Sequence, residues 1–111
     1  MAYIANLYVE AGATFSRTVT YTNDDGTLFD LAGYTAELQV RETVSSASAA
    51  ITKTPSIDTE TAEISWTFTA AETAALTASK YVYALELTKT SDGTVTRLLE
   101  GDLTVSPEVV R

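Results

Sequence analysis

Two carboxylates, Glu100 and Asp102, stand two residues apart in an alternating stretch, so both can face the same way. Paired carboxylates flanking a scissile bond do the acid and base work of glycoside hydrolysis. Asn23-Asp24-Asp25-Gly26 gathers oxygen-bearing side chains ahead of a glycine, as the opening of a calcium loop does. Ser79-Lys80 sets a hydroxyl beside an amine, and Trp66 offers a face on which a sugar ring could stack. Each also has a plainer reading. Lone acids on strands are usually solvated. A calcium loop needs alternating oxygen ligands and a closing glutamate, and neither follows Gly26, so a tight turn is expected there. A serine activated by lysine uses an S-x-x-K spacing, which Ser79-Lys80 does not have. Trp66 lies in phase with Ile64 and Phe68, which predicts a core position.

The chain contains no histidine and no cysteine. That removes the usual general base, the Ser-His triad, thiolate chemistry and any disulfide framework. No glycine-rich phosphate loop occurs. The expectation is a protein that is not an enzyme, with no catalytic residue, no cofactor and no metal. The formal charge of −8 argues against a nucleic-acid partner, which needs clustered lysine and arginine. The seven basic residues are instead spread singly. The N-terminus has no basic region followed by an apolar stretch, and no apolar run reaches membrane-spanning length, so neither a secretory signal nor a membrane is expected.

The elements that must position these residues are strands. The 111 residues make one domain with room for a core. Threonine is heavily over-used, with valine, tyrosine and isoleucine alongside it, a composition that suits pleated, half-buried surfaces. Asp30-Leu31-Ala32-Gly33 leads into the clearest strand, where Tyr34, Ala36, Leu38 and Val40 alternate with Thr35, Glu37, Gln39 and Arg41. Further strands are expected from Tyr3 to Val9, Thr14 to Thr22, Ile51 to Thr54 and Thr61 to Thr69. Lys80 to Thr90 follows, with Tyr81, Tyr83, Leu85 and Leu87 on one face. Thr94 to Glu100 and Asp102 to Val105 complete the set, joined through Gly101 as a bulge or bend. Asn23 to Gly26 and Ser91-Asp92-Gly93 supply hairpin turns. Ala70 to Leu76 is the one helix-forming stretch, with Thr69 and Glu72 spaced as a capping box. Pro55 breaks the least legible segment, Thr43 to Glu60.

Seven or eight short strands with regular turns and one short helical crossover predict an all-β, antiparallel β-sandwich of immunoglobulin-like type. It has no cysteine pair to bridge its sheets.

The order of motifs carries a resemblance. D-L-A-G-Y-T-A at Asp30 to Ala36, K-Y-V-Y-A-L-E-L at Lys80 to Leu87, D-G-T-V-T-R-L-L-E-G at Asp92 to Gly101 and D-L-T-V at Asp102 to Val105 follow one another. That succession, from about Gly12 to Val105, resembles the N-terminal domain of tailed-phage baseplate upper proteins. The resemblance implies a non-enzymatic virion structural protein, a tail- or baseplate-associated adaptor or anchoring module. Its partners would be other phage virion proteins, in a homo-oligomer or symmetric assembly, and its location the virion, assembled in the host cytoplasm. With Arg111 ending the sequence, an anchor without the downstream stalk is expected. A capsid decoration (cement) protein on the phage head is the alternative within that class. A carbohydrate-binding module for host surface glycan is the alternative outside it.

The terminal segments, 1–10 and 106–111, are the expected contact arms. Tyr3, Leu7 and Val9 share one face of the first strand, and Ile4 and Tyr8 share the other. A strand apolar on both faces is covered within its own domain or completes a neighbour's surface. Tyr3, Ile4, Leu7, Tyr8, Val109 and Val110 are therefore the candidate protein-interface residues.

Overall fold

The alternation from Tyr34 to Arg41 is realised as a strand whose residues Ala36, Leu38 and Val40 are buried, entered through Gly33 at φ 81°. An L side chain is strained at that angle, so glycine suits the turn that starts the strand. The computed structural model describes residues 3–77 and 79–107. Among them the strand segments are β1 (Tyr3–Ile4), β2 (Leu7–Glu10), β3 (Phe15–Thr20), β4 (Tyr34–Arg41), β5 (Ile51–Lys53), β6 (Ser56–Asp58), β7 (Glu63–Phe68), β8 (Lys80–Lys89) and β9 (Val95–Ser106), with helix α1 (Ala70–Ala74) between β7 and β8.

They form two sheets. The larger runs β1–β9–β8–β4–β5, with β2 continuing beside β9, and the smaller runs β3–β7–β6. Inward residues of the larger sheet, Leu38, Val40, Leu85, Leu87 and Leu103, meet Ile64, Trp66 and Phe68 of the smaller. This is the predicted sandwich, and the period-two pattern built it, since alternate residues of a strand face opposite sides.

The N-terminal segment departs from the expected pattern in two ways. It pairs with β9 in parallel, Tyr3 opposite Leu99 and Leu7 opposite Leu103, whereas the other strand pairs are antiparallel. It is also broken at Ala5-Asn6, although the register is the same on either side. At the break the Asn6 side-chain oxygen accepts from the Asp102 amide at 3.1 Å, standing in for a ladder carbonyl. The bulge also sits elsewhere than expected. Val95 to Ser106 is one strand, and the register shifts where Leu85 pairs with Leu99 and Glu86 with Arg97, leaving Leu98 as the extra residue. Gly101 is instead a point of close approach. A β-carbon there would lie 2.5 Å from the Ala5 carbonyl oxygen.

Pro55 separates β5 from β6 and so marks where the chain leaves one sheet for the other. Its missing N–H cannot continue a ladder. β6 itself was not legible in the sequence. α1 has the predicted capping box: Glu72 N donates to the Thr69 hydroxyl at 3.2 Å, and Thr69 N to the Glu72 carboxylate at 2.9 Å. Two further contacts fasten the helix. Thr73, fully buried, donates to Ala13 O at 2.8 Å and accepts from Gly12 N at 3.0 Å. Glu72 also pairs with Lys53 of β5 at 2.7 Å. Burial opposes the charged Glu72, but the Lys53 and Thr69 hydrogen bonds outweigh it and hold the carboxyl below its usual range.

Candidate functional site

The residues that could have done chemistry are occupied structurally. Asn23 to Gly26 is a turn in which Gly26 N donates to Asn23 O at 2.9 Å. Asp25 accepts from the Thr27 amide at 3.0 Å and its hydroxyl at 2.6 Å, which lowers its pKa. No group of three His, Cys, Asp or Glu residues is placed to hold a metal among the described residues. Glu100 and Asp102 do share the outer face of β9, but each has a cation: Arg97 at 3.1 Å and Lys80 at 3.2 Å. Trp66 is 4% exposed. It packs in the core as expected and offers no face to a sugar ring.

Tyr81 and Tyr83 are buried as their phase predicted. Tyr83 lies opposite Gly101, and its hydroxyl donates to the Ala5 carbonyl across that glycine. Burial pushes the Tyr83 phenol above its ordinary value of 10.0, while the Arg17 charge pulls the other way. The phenol therefore ionises later in the folded chain than in the unfolded one. Its contribution to stability is complete below the ordinary value and is lost as pH rises through the raised one. A spectrophotometric titration should show a late-ionising tyrosine that disappears in Tyr83→Phe. If the phenol lost in Tyr83→Phe were one that ionised at the ordinary value, the buried hydroxyl would be contradicted.

The outer face of the larger sheet is where the remaining reactive surface collects. Its floor is built from short side chains of β8, Val82 and Ala84, with Val44 from the β4–β5 loop 87% exposed at one margin. Strand pairing sets the rows across it. Arg41, Val82 and Asp102 form one row. Gln39, Ala84, Glu100 and Ile4 form the next. Glu37, Glu86 and Arg97 form a third. Short residues flanked by long charged ones leave a groove of about 440 Å³. Glu37 and Glu86 stand directly opposite, a repulsive placement that Arg97 offsets from 3.8 Å. Arg41 is held in the wall by Gln39 at 2.8 Å and by Ser46 O at 2.9 Å.

The candidate contact residues divide at this face. Ile4 is 79% exposed and Tyr8 72%; Ile4 extends the Gln39–Ala84–Glu100 row onto the N-terminal edge, and Tyr8 stands one row beyond the groove, beside Thr104. Leu7, expected as a contact residue, is a core residue at 2% exposure, as is Val9 beside it. Parity separated the two sets, and the inward set filled the protein's own core. Tyr3 contributes backbone pairing to Leu99. Val109 and Val110 lie outside the described residues. Sequence reasoning missed Val82, Ala84 and Val44. The available signal was that Val82 and Ala84 make β8 apolar on both parities, which marks a strand with two faces to cover.

No helix among the described residues is long and apolar enough to cross a membrane. Among solved structures, the chain is similar to the NK cell receptor Nkp44, described as a triggering partner in natural cytotoxicity. The TM-score is 0.54 at 16% identity, over 96% of this chain and 99% of that one. The likeness establishes an immunoglobulin-like β-sandwich. No protein-family model matches the sequence, and no curated protein matches it.

Proposed function

We propose that the chain is a non-enzymatic docking module of a tailed-phage virion, tail- or baseplate-associated, which binds a partner protein through the outer face of its larger sheet. The observation that carries the docking role is the exposure of Ile4 and Tyr8 beside an apolar-floored groove. Large apolar side chains clustered with a rimmed groove are the usual mark of a protein contact. The charges around it are mostly paired within the face, which leaves the apolar residues as the principal unsatisfied surface. The virion assignment is supported by the ordered D-L-A-G-Y-T-A, Y-V-Y-A-L-E-L and D-G-T-V-T-R-L-L-E-G motifs and their resemblance to baseplate upper proteins.

The test uses phage particles. Mass spectrometry and immunogold microscopy of purified virions should find the protein at the tail. Particles made without its gene should take up the purified protein. An Ile4→Glu, Tyr8→Glu variant should retain its circular dichroism spectrum and bind those particles roughly thirtyfold more weakly, the loss of about 2 kcal/mol expected when apolar anchors are replaced. Virions free of the protein would overturn the assignment. Unchanged binding by the variant would overturn the docking face.

A further inference from the structure

Sheet edges are where a β-sandwich can add strands, because their outward N–H and C=O groups are unpaired. The sheet ends here are β5, β6, the N-terminal β1–β2 edge and β3. Three of these carry features that discourage pairing. β5 and β6 are three residues each and are separated by Thr54-Pro55. The N-terminal edge is broken at Ala5-Asn6. β3 has no such protection. It runs six residues, Phe15–Thr20, without proline, glycine or a register break against β7.

The ladder shows which of its groups are free. Tyr21 N donates to Ala62 O at 2.9 Å, and Tyr21 O accepts from Phe29 N at 3.1 Å. Both Tyr21 groups thus point to the β7 side, where the Thr27 to Phe29 segment extends the line of β7. Hydrogen-bonded and non-bonded pairs alternate along an antiparallel ladder. Val19, Arg17 and Phe15 therefore also turn their backbone groups toward β7, and Ser16, Thr18 and Thr20 turn theirs away from it. No described strand pairs with that side. Hydroxyl contacts stiffen the strand from the other flank: Ser16 with Thr67 and Thr18 with Ser65, each at 3.0 Å.

We propose that this edge pairs with a second copy of the chain, two β3 strands joining antiparallel about a two-fold axis at Thr18. The register is self-complementary. Thr18 opposes Thr18 of the second copy, and Ser16 opposes its Thr20 on both sides of the axis. All three positions carry free donors and acceptors, which the antiparallel pattern joins in about six hydrogen bonds. Their side chains are hydroxyls, which pair well across strands. Charge permits the same edge. In a chain of net charge −8, β3 holds Arg17 and no acid, as β5 holds Lys53 and no acid, so no carboxylates of the paired strands repel across the joint. Pairing would merge the two smaller sheets and leave the outer face of the larger sheet free. It does not depend on the virion assignment.

Sedimentation velocity tests the dimer. The wild-type protein should approach twice the 11.9 kDa of one chain as its concentration rises. Thr18→Pro removes an outward N–H that no internal bond uses, so it should sediment as a folded monomer with unchanged circular dichroism. Cysteine scanning reads the register independently, because the chain has no cysteine of its own. Thr18→Cys should oxidise to a linked dimer, its Cα atoms about 5.5 Å apart and within disulfide reach. Thr20→Cys, opposed by Ser16, should stay unlinked. A wild-type protein that remains monomeric at roughly 1 mM, where the weakest specific complexes form, would overturn the proposal. Equal linking of Thr18→Cys and Thr20→Cys would do the same, even if Thr18→Pro fails to fold.

Discussion

Alanine at Gly101 is expected to lower the free energy of unfolding by about 3 kcal/mol, the upper range for forcing one carbon into a packed site. The urea midpoint should fall with little change in slope. The added β-carbon would lie 2.5 Å from Ala5 O and 2.9 Å from Asn6 Oδ1. Neither neighbour can step aside cheaply. Ala5 O is backbone and accepts the Tyr83 hydroxyl, and Asn6 Oδ1 accepts the Asp102 amide. The Ala5 amide is itself bonded to Glu100 O at 2.9 Å. Relief must therefore come from moving β1 and β2 away from β9, which draws Leu7 and Val9 out of the core. Hydrogen exchange should quicken first at Asp102 and Ala5. Tyr83→Phe, which removes one hydrogen bond and no volume from the core, should cost only about 1 kcal/mol. Equal stability of Gly101→Ala and wild type would mean that the N-terminal strand is not seated over Gly101.

Phe68→Ala should cost about 4 kcal/mol, combining the lost transfer of a buried ring with the cavity it leaves. Phe68 is fully buried at the end of β7, opposite Phe15, whose ring stacks on it at 5.8 Å. The following residue, Thr69, caps α1, so a void at Phe68 also loosens the base of the helix. Phe15 is half-buried on the open edge strand, and Phe15→Ala should cost about half as much. Chemical denaturation of both variants checks the order. If Phe15→Ala proved the more damaging, the core would not be centred on β7.

Several of these features were legible in the residues themselves. The alternation in β4, β7 and β8 gave the strands, and their buried parity matched the aromatic and aliphatic set. Thr69 and Glu72 announced the capping box, and Asn23 to Gly26 announced the turn. The candidate site was half legible. Alternation put Ile4 and Tyr8 on the face opposite Leu7 and Val9, but nothing in the segment said which pair would meet water. Val82 and Ala84 were overshadowed by Tyr81, Tyr83 and Leu85, with which they alternate, and Arg97 gave no sign of balancing Glu86 and Glu100.

Local succession determined the strands, their parity, the turns and the helix cap, because each depends on residues a few positions apart. The lack of imidazole and thiol side chains was equally plain, since a chain without histidine or cysteine has none however it folds. The tertiary structure alone decided that the N-terminal strand lies parallel to β9, that Leu98 rather than Gly101 is the extra residue, and that β3 keeps an open edge. These rest on pairings between distant segments, Leu7 with Leu103 and Phe15 with Phe68 among them. A strand's own alternation says which residues share a face. It does not say which neighbour that strand will take, because the partner is chosen by the packing of the whole core.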